Sequence, residues 1–182
     1  MVRKSVLRSR LLEAALRLFV TQGFRGTSLQ DIASEVGCSK ASLGYHFANK
    51  EAILTELLDP VVEAMDELHA RLDGLPGDQV VAAAVEGFVD VALDFRGEVR
   101  LMLADTQDVA RNLRDRRILD LHERLREAFA GRSTRPQDQL RAWTALGGIV
   151  MATVAGPELP RAETRAVLVS SALRALADPL RL

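Results

Sequence analysis

Two short amphipathic segments, separated by a glycine, stand out in the pattern of apolar and polar residues near the amino terminus. In the first segment the apolar residues recur at the spacing of one helical face, at Leu29, Ile32, Ala33 and Val36. Gly37 then supplies the residue type that most readily adopts the left-handed backbone at the end of a helix. The pattern predicts a short helix that begins near residue 28 and ends at this glycine.

Polar residues beside the two segments predict where each helix begins. Thr27 and Gln30 have the Thr-x-x-Gln spacing of a capping box, in which side chains satisfy the unpaired amides of the first turn. Ser39 is a suitable cap for the second helix, on which Leu43 and Phe47 lie one turn apart and face the core. Residues 28–47 are therefore a predicted helix-turn-helix, a motif whose second helix enters the DNA major groove.

The outward face of the second helix carries unusually small side chains. This face is predicted to comprise Ala41, Ser42, Gly44 and Tyr45. A glycine inside a helix costs about 1 kcal/mol relative to alanine, and close approach to another surface would explain its presence at position 44.

A helix on either side completes the predicted domain. The first covers about residues 6–22, with an apolar stripe that includes Leu11 and Leu18. The other begins after Asn49, its expected cap, and Asp59-Pro60 predicts a kink or a restart within it. Lys50 lies in the first turn of this last helix, where a cation opposes the helix dipole, so contact with a DNA phosphate is the better explanation for it.

The order and spacing of several residues resemble the amino-terminal domain of TetR-type transcriptional regulators over residues 7–57. The matching positions are Leu11 to Phe19, Gly23, Thr27, Asp31 to Ala33, Gly37, Ser39, Leu43, His46-Phe47 and Lys50-Glu51. The resemblance implies an all-α homodimer of about nine helices per chain, with no catalytic activity. It implies a DNA-binding domain at residues 1–49, a connecting helix at 50–74, and a helical domain at 75–182 for effector binding and dimerisation.

The resemblance also implies which residues contact a double-stranded DNA operator. We expect these to be Thr27, Ser39, Lys40, Ala41, Ser42, Gly44, Tyr45, His46 and Lys50. One position departs from the family pattern, because the family usually has an aromatic residue where this chain has Gly44, and Tyr45 stands one place later. A helical interaction module that no longer binds DNA is therefore the alternative function.

The remainder of the chain predicts further helices near residues 78–95, 98–130, 137–155 and 161–177, separated by Gly- and Pro-containing breaks. Small residues in the third of these segments form one stripe (Ala145, Gly148, Ala152, Ala155), and larger ones form a second (Trp143, Leu146, Val150, Val154). The last segment has a broad apolar face that includes Leu168 and Leu176. These faces predict either a dimer interface, as in the resembled family, or ordinary intramolecular core.

A small-molecule effector, if one is bound, is expected among the middle helices. Bulky and polar residues there are the candidate contacts: Phe88, Phe95, Met102, Asp105, His122, Trp143 and Met151. Each of them is more readily explained as a core or surface residue than as a ligand contact.

Composition excludes several classes of protein. The 182 residues include one cysteine, Cys38, so no internal disulfide forms, and no Cys/His cluster has the spacing of a zinc site. We expect no metal and no cofactor, and catalytic motifs such as Gly-x-Ser-x-Gly are missing. The longest uncharged stretch, residues 142–157, is shorter than the roughly 18 residues that span a bilayer. We therefore expect a cytoplasmic protein without a membrane partner.

Charge is unevenly distributed along the chain. Residues 1–50 contain eight Lys/Arg against three Asp/Glu, a net charge of +5, while the other residues contain sixteen against twenty-two, a net charge of −6. All three lysines (Lys4, Lys40 and Lys50) lie in the basic part. We therefore expect this part to face DNA, and we expect the chain to be a repressor that a small molecule releases from a palindromic operator.

Overall fold

The computed structural model describes residues 2–104 and 116–177, and every regular element in these two ranges is an α-helix. The all-α fold expected from the sequence is confirmed. The helices are α1 (Val2–Gln22), α2 (Leu29–Val36), α3 (Lys40–His46), α4 (Lys50–Leu72), α5 (Gly77–Asp94), α6 (Arg96–Ala104), α7 (Arg116–Phe129), α8 (Pro136–Ala155) and α9 (Arg161–Leu176). None of these helices is long and apolar enough to cross a membrane.

Contacts between residues divide the described chain into two compact units. The first unit comprises residues 2–61 and 97–104, and the second comprises residues 62–96 and 116–177. Helix α4 contributes to both units, with the division between Val61 and Val62. The boundaries at residues 49 and 74 that the sequence suggested remain a proposal.

The first unit has a core of its own, built where α1 to α4 and α6 bury their apolar faces. Phe19, Ile32, Leu43 and Ile53 are fully buried there, one from each of the first four helices, and Leu101 adds a side chain from α6. The ring of Phe19 packs against Phe24, with 5.1 Å between ring centroids. Burial of one face of every helix is what holds these short elements together.

The start of α2 differs from the sequence-based expectation. Ser28, and not Thr27, caps the helix, because its Oγ accepts a hydrogen bond from the Asp31 amide (3.1 Å). The Ser28 amide in turn donates to Asp31 Oδ2 (2.8 Å), so Asp31 takes the place assigned to Gln30 in the capping box. These hydrogen bonds, above all the one from the Ser28 hydroxyl, hold the pKa of the Asp31 carboxyl below its usual value.

Helix α4 begins where the sequence predicts, but its course past Pro60 differs from the prediction. Asn49 Oδ1 accepts a hydrogen bond from the Ala52 amide (2.8 Å), which confirms Asn49 as the cap. Of the kink or restart predicted at Asp59-Pro60, the restart is wrong, since α4 runs without interruption past Pro60. The kink stays a prediction. The buried face of α4 continues on both sides of Pro60, where Leu57, Leu58 and Val61 are all buried.

The second unit buries a larger core among α4, α5, α7, α8 and α9. Leu68, Val85, Leu125 and Leu146 are among its fully buried members. Helices α5 and α9 are also joined by charge: Arg165 donates to both carboxylate oxygens of Asp90 (2.7 and 2.9 Å). Hydrogen bonding from Arg165 lowers the pKa of the Asp90 carboxyl.

The apolar stripes of the last two helices divide between core and surface. Ala145 and Leu146 of α8 and Leu168 of α9 lie in the core of the second unit, as does Ala172. On the other face of α8, by contrast, Gly148, Ala152 and Ala155 are exposed, together with the large side chains Leu140, Trp143 and Met151. Of the two faces expected at a dimer interface, the outer face of α8 is therefore exposed in the single chain, whereas Leu168 and Ala172 of α9 are buried.

We predict that Ser28→Ala lowers the free energy of unfolding by about 1 kcal/mol, the usual cost of a lost helix cap. Gln30→Ala is the control and should change it by less than about 0.5 kcal/mol, since Gln30 is exposed and has no capping role. Urea denaturation of both variants measures the difference. Equal effects would contradict the assignment of the cap.

The same experiment has a predicted pH dependence. Because the Asp31 pKa is lowered in the folded chain, the stabilisation is present above the unfolded value of 3.8 and is lost as the pH falls through the folded value. The difference in the free energy of unfolding between the wild type and Ser28→Ala should therefore become smaller below pH 3.8.

Candidate nucleic-acid interface

Helix α3 is positioned by a tight turn and a side-chain cap. Gly37 adopts the left-handed conformation (φ 74°, ψ 35°), and its amide donates to the carbonyl of Ser34 (3.1 Å). The Cys38 amide donates to Ala33 O (2.9 Å), which closes the end of α2. Ser39 Oγ then accepts from the Ser42 amide (3.1 Å), so that α3 starts at once.

Packing determines which face of α3 remains outside. Leu43 is fully buried and Phe47 nearly so, whereas Lys40, Ala41 and Gly44 are exposed. Tyr45 is 70% exposed, and its ring meets His46 edge to face at 5.5 Å. Ser42 and His46 are half-buried at the margins of this face. We call the outward residues of α3, Lys40, Ala41, Ser42, Gly44, Tyr45 and His46, the α3 face.

Contacts among the described residues do not account for the glycine at position 44. A Cβ added to Gly44 would meet nothing within 4 Å in this part of the chain. Packing between the described residues therefore does not offset the cost of about 1 kcal/mol for glycine in a helix.

Lys50 has a structural role that the sequence did not indicate. Its Nζ donates to two backbone carbonyls in the segment between α1 and α2, those of Phe24 and Thr27, both at 2.6 Å. The ammonium also lies 4.6 Å from the centroid of the Phe24 ring. Because these carbonyls attract the cation, the protein itself explains why a lysine stands near the start of α4. The contact with a DNA phosphate that the sequence suggested is a second explanation.

A cleft of about 570 Å³ brings together cationic side chains and two helix starts. It is lined by Arg25, Lys40 and Lys50, by residues 26–30 at the start of α2, and by Asn49 and Glu51 at the start of α4. The amino termini of helices attract anions because their amides point outward and the helix dipole is positive there. This arrangement suits a phosphate group.

Thr27 lines the cleft with Lys40 and Lys50, but it is buried. Its side chain is 1% exposed, and the hydroxyl donates to Gly23 O (3.0 Å). Ser39 is exposed but its Oγ is occupied by the α3 cap. The side chains of Thr27 and Ser39 therefore make hydrogen bonds to the backbone beside the α3 face, whereas Lys40 lies on that face.

Residues 25 and 49 also line the cleft, and sequence reasoning did not single them out as DNA contacts. Arg25 is one of eight basic residues in the first fifty, and nothing in its spacing distinguishes it. The pattern around Asn49 indicated only a helix cap. The sequence does not show that Arg25 and Asn49 line the same cleft as Lys40 in the folded chain.

Other basic residues of the first unit are engaged within it. Arg17 pairs with Glu35 (3.3 Å), and Arg10 donates to Val36 O (3.2 Å). Arg8 pairs with Glu56 and lies 5.0 Å from the Phe47 ring. The +5 charge of residues 1–50 is therefore not presented as one uniform surface.

Where the structure describes them, the residues expected to contact an effector lie in different surroundings. Met102 packs in the core of the first unit, whereas Phe88 and Phe95 pack against the core of the second. His122 and Trp143 are exposed and lie ring to ring, 5.3 Å apart, and Met151 is exposed as well. Partial desolvation lowers the pKa of the His122 imidazole. Asp105 lies outside the described residues.

A helix-turn-helix with a free outer face defines a nucleic-acid-binding domain, and comparison with known proteins identifies its family. Residues 11–57 match the family model of bacterial regulatory proteins of the tetR family. Over these residues the chain is similar to proteins of the tetR family.

Relatives and solved structures agree with this assignment. The transcriptional repressor KstR2 of Rhodococcus jostii is 26% identical over 130 residues, which cover 70% of this chain and 64% of that protein. The crystal structure of the probable transcriptional regulatory protein RHA5900 is 22% identical, with a TM-score of 0.75, and the match covers 94% of this chain and all of that one.

A third similar protein is AibR, whose crystal structure contains isovaleryl coenzyme A and operator DNA. It is 22% identical, with a TM-score of 0.65, and the match covers 91% of this chain and 97% of AibR. The chain spans 35% to 64% of the length of the first curated relatives it matches. The curated relatives that the chain matches are named transcriptional regulators or repressors.

We predict that Lys50→Ala lowers the free energy of unfolding of the DNA-free protein by about 1 to 2 kcal/mol, because two carbonyls lose a charged hydrogen-bond donor. Lys40→Ala is the matched control: this lysine is exposed, and its loss should change stability by less than about 0.5 kcal/mol. Chemical denaturation monitored by circular dichroism measures both. An unchanged Lys50→Ala midpoint would show that the carbonyl contacts contribute nothing.

Proposed function

We propose that the protein is a sequence-specific DNA-binding transcriptional regulator that acts in the cytoplasm. The observation that carries this proposal is the α3 face, which is held outward by the burial of Leu43 and Phe47 and has the cationic cleft beside it. An exposed helix of this size fits the major groove, and adjacent cations and helix starts fit the phosphates that flank it.

Roles within the interface follow from position. Ala41, Ser42 and Tyr45 are proposed to meet base edges or sugar-phosphate groups in the groove. Lys40 and Lys50 are proposed to contact phosphates. An ammonium has three N–H donors, and Lys50 uses two on Phe24 O and Thr27 O, so one remains for a phosphate oxygen.

We propose further that two copies act together as a homodimer. Its support is the outer face of α8, where Leu140, Trp143 and Met151 are between 51% and 68% exposed. Gly147 and Gly148 lie on the same face, and an added Cβ would meet nothing within 4 Å at either one, so a neighbouring helix could approach closely. A two-fold dimer would place two α3 helices on half-sites about one DNA turn apart, or a multiple of it.

Repression relieved by a small molecule is the mode of action we propose. KstR2 is named as a repressor, which supports repression, and the AibR crystal structure holds both an acyl coenzyme A and operator DNA on a protein of this fold. Occupancy of a promoter by the dimer would block transcription until the ligand shifts the protein toward a state with lower DNA affinity.

Selection of genomic fragments by the purified protein tests the function. We expect enrichment of sites with two inverted half-sites, and a steep fall in affinity with salt. Lys40→Ala should weaken binding to all sequences and reduce the slope of log affinity against log salt by about one. If the protein retains no genomic fragment, or retains fragments with neither sequence selection nor salt dependence, the result would instead support the alternative, an interaction module whose helix-turn-helix has lost DNA binding.

We predict that Gly44→Ala has opposite effects on stability and on DNA binding. It should raise the free energy of unfolding by about 0.5 to 1 kcal/mol, since a helical glycine is replaced and the new Cβ meets open space. It should weaken operator binding if the DNA approaches this point of α3. Thr55→Ala, an exposed change on α4, is a control that should leave binding unchanged. Unchanged affinity of Gly44→Ala would contradict the close approach.

A further inference from the structure

The second unit contains a cavity that the candidate effector residues do not line. Its volume is about 670 Å³, within the range of small-molecule sites. The end of α4, the start of α5, α7, the loop after it and α8 all contribute to its walls. Leu72, Val80 and Ala128 give it an apolar surface, and His69 and Gln139 give it polar atoms. The rest of the lining is Gly74 and polar or charged residues: Asp73, Arg124, Arg126, Glu127, Arg132, Ser133 and Thr134.

His69 presents an acceptor to this cavity. The residue is 2% exposed, and its Nδ1 lies 2.7 Å from the carbonyl oxygen of Met65. A carbonyl only accepts, so Nδ1 carries the proton, and in the neutral ring Nε2 is then an acceptor. Burial lowers the pKa of His69, which keeps the ring neutral at pH 7. No group in the described part of the chain donates to Nε2.

Gln139 presents a second acceptor to the same cavity. Its amide nitrogen donates to the carbonyl of Ser133, and this partner fixes which end of the side-chain amide is the oxygen. That oxygen, Oε1, is buried, and no donor reaches it from the residues that the structure describes. Two buried acceptors without donors are costly, and both lie at one cavity.

The cations at the rim are already engaged. Arg124 Nη2 lies 3.2 Å from each carboxylate oxygen of Asp73. Arg132 donates to the carbonyl of Leu72 (3.0 Å), and Arg126 pairs with Glu123. An anionic ligand would therefore compete with these partners, and its lone pairs would face those of His69 and Gln139.

We propose that this cavity binds an uncharged molecule with an apolar frame and a hydroxyl or amide N–H that donates to His69 Nε2, while Gln139 Oε1 accepts a second donor hydrogen from ligands that carry one. The apolar walls accommodate the frame, and the two acceptors select its polar end. Control of DNA binding by such a ligand rests on the function proposed above, whereas binding itself does not.

Calorimetric titration of the DNA-free protein with three matched probes tests the proposal. 2-Naphthol carries a donor, 2-methoxynaphthalene has the same frame without one, and 2-naphthoate is anionic. We expect 2-naphthol to bind about tenfold more tightly than either of the others. Equal affinities, no binding of 2-naphthol, or preference for the naphthoate would overturn the proposal without bearing on DNA binding.

Variants locate the site. His69→Phe and Gln139→Leu each remove one acceptor while keeping most of the volume. Because the single hydroxyl of 2-naphthol donates to His69 Nε2, His69→Phe should reduce the preference for 2-naphthol severalfold, and Gln139→Leu should reduce it less. His122→Phe removes an exposed imidazole that does not line the cavity and should leave the preference unchanged. In the wild type, long-range ¹H–¹⁵N spectra should show the His69 Nε2 resonance shift with 2-naphthol only. A preference that survives both cavity variants would overturn the assignment.

Discussion

The outward position of α3 depends on the burial of its inner face. A helix of seven residues is too short to persist alone in water, so α3 exists because Leu43 and Phe47 are held in the core formed with α1, α2 and α4. The Ser39 cap and the left-handed Gly37 add to this by fixing where the helix begins. The same packing that makes the helix stable leaves the opposite face exposed, so stability and presentation of the α3 face have one cause.

Lys50 shows how closely support and recognition are combined in the first unit. Its ammonium joins the start of α4 to the segment before α2 through Phe24 O and Thr27 O. That segment also forms one wall of the cationic cleft, together with Arg25 and Lys40. Lys50 therefore both holds one wall of the cleft through its hydrogen bonds and supplies part of the positive charge of the cleft. Loss of DNA binding on substitution of Lys50 alone would therefore not separate a phosphate contact from a structural one, whereas Lys40 has no such double role.

In the second unit, the residues that line the cavity are not the ones that the sequence suggested as ligand contacts. Large aromatic residues drew attention in the sequence, yet Phe88 and Phe95 fill the core, and Trp143 lies on the surface. His69 and Gln139 did not fit a motif, but the fold buries one polar atom of each beside a cavity and leaves it without a donor in the described chain. Burial changes the chemistry of a side chain, and periodicity along the sequence does not reveal which polar atoms are left unsatisfied.

Local periodicity and helix-end residues were enough to predict the all-α fold, the bounds of most described helices and the α3 face, because these features depend on neighbours within a few residues. Prediction of the α2 cap failed by one position, since Thr27 and Ser28 are both suitable and only burial of Thr27 decides between them. Contacts between distant residues decided the rest: Lys50 on the α1–α2 segment, the division of the α8 and α9 stripes between core and surface, and the cavity at His69. These depend on how the helices pack, and a one-dimensional pattern does not specify the distances between their side chains.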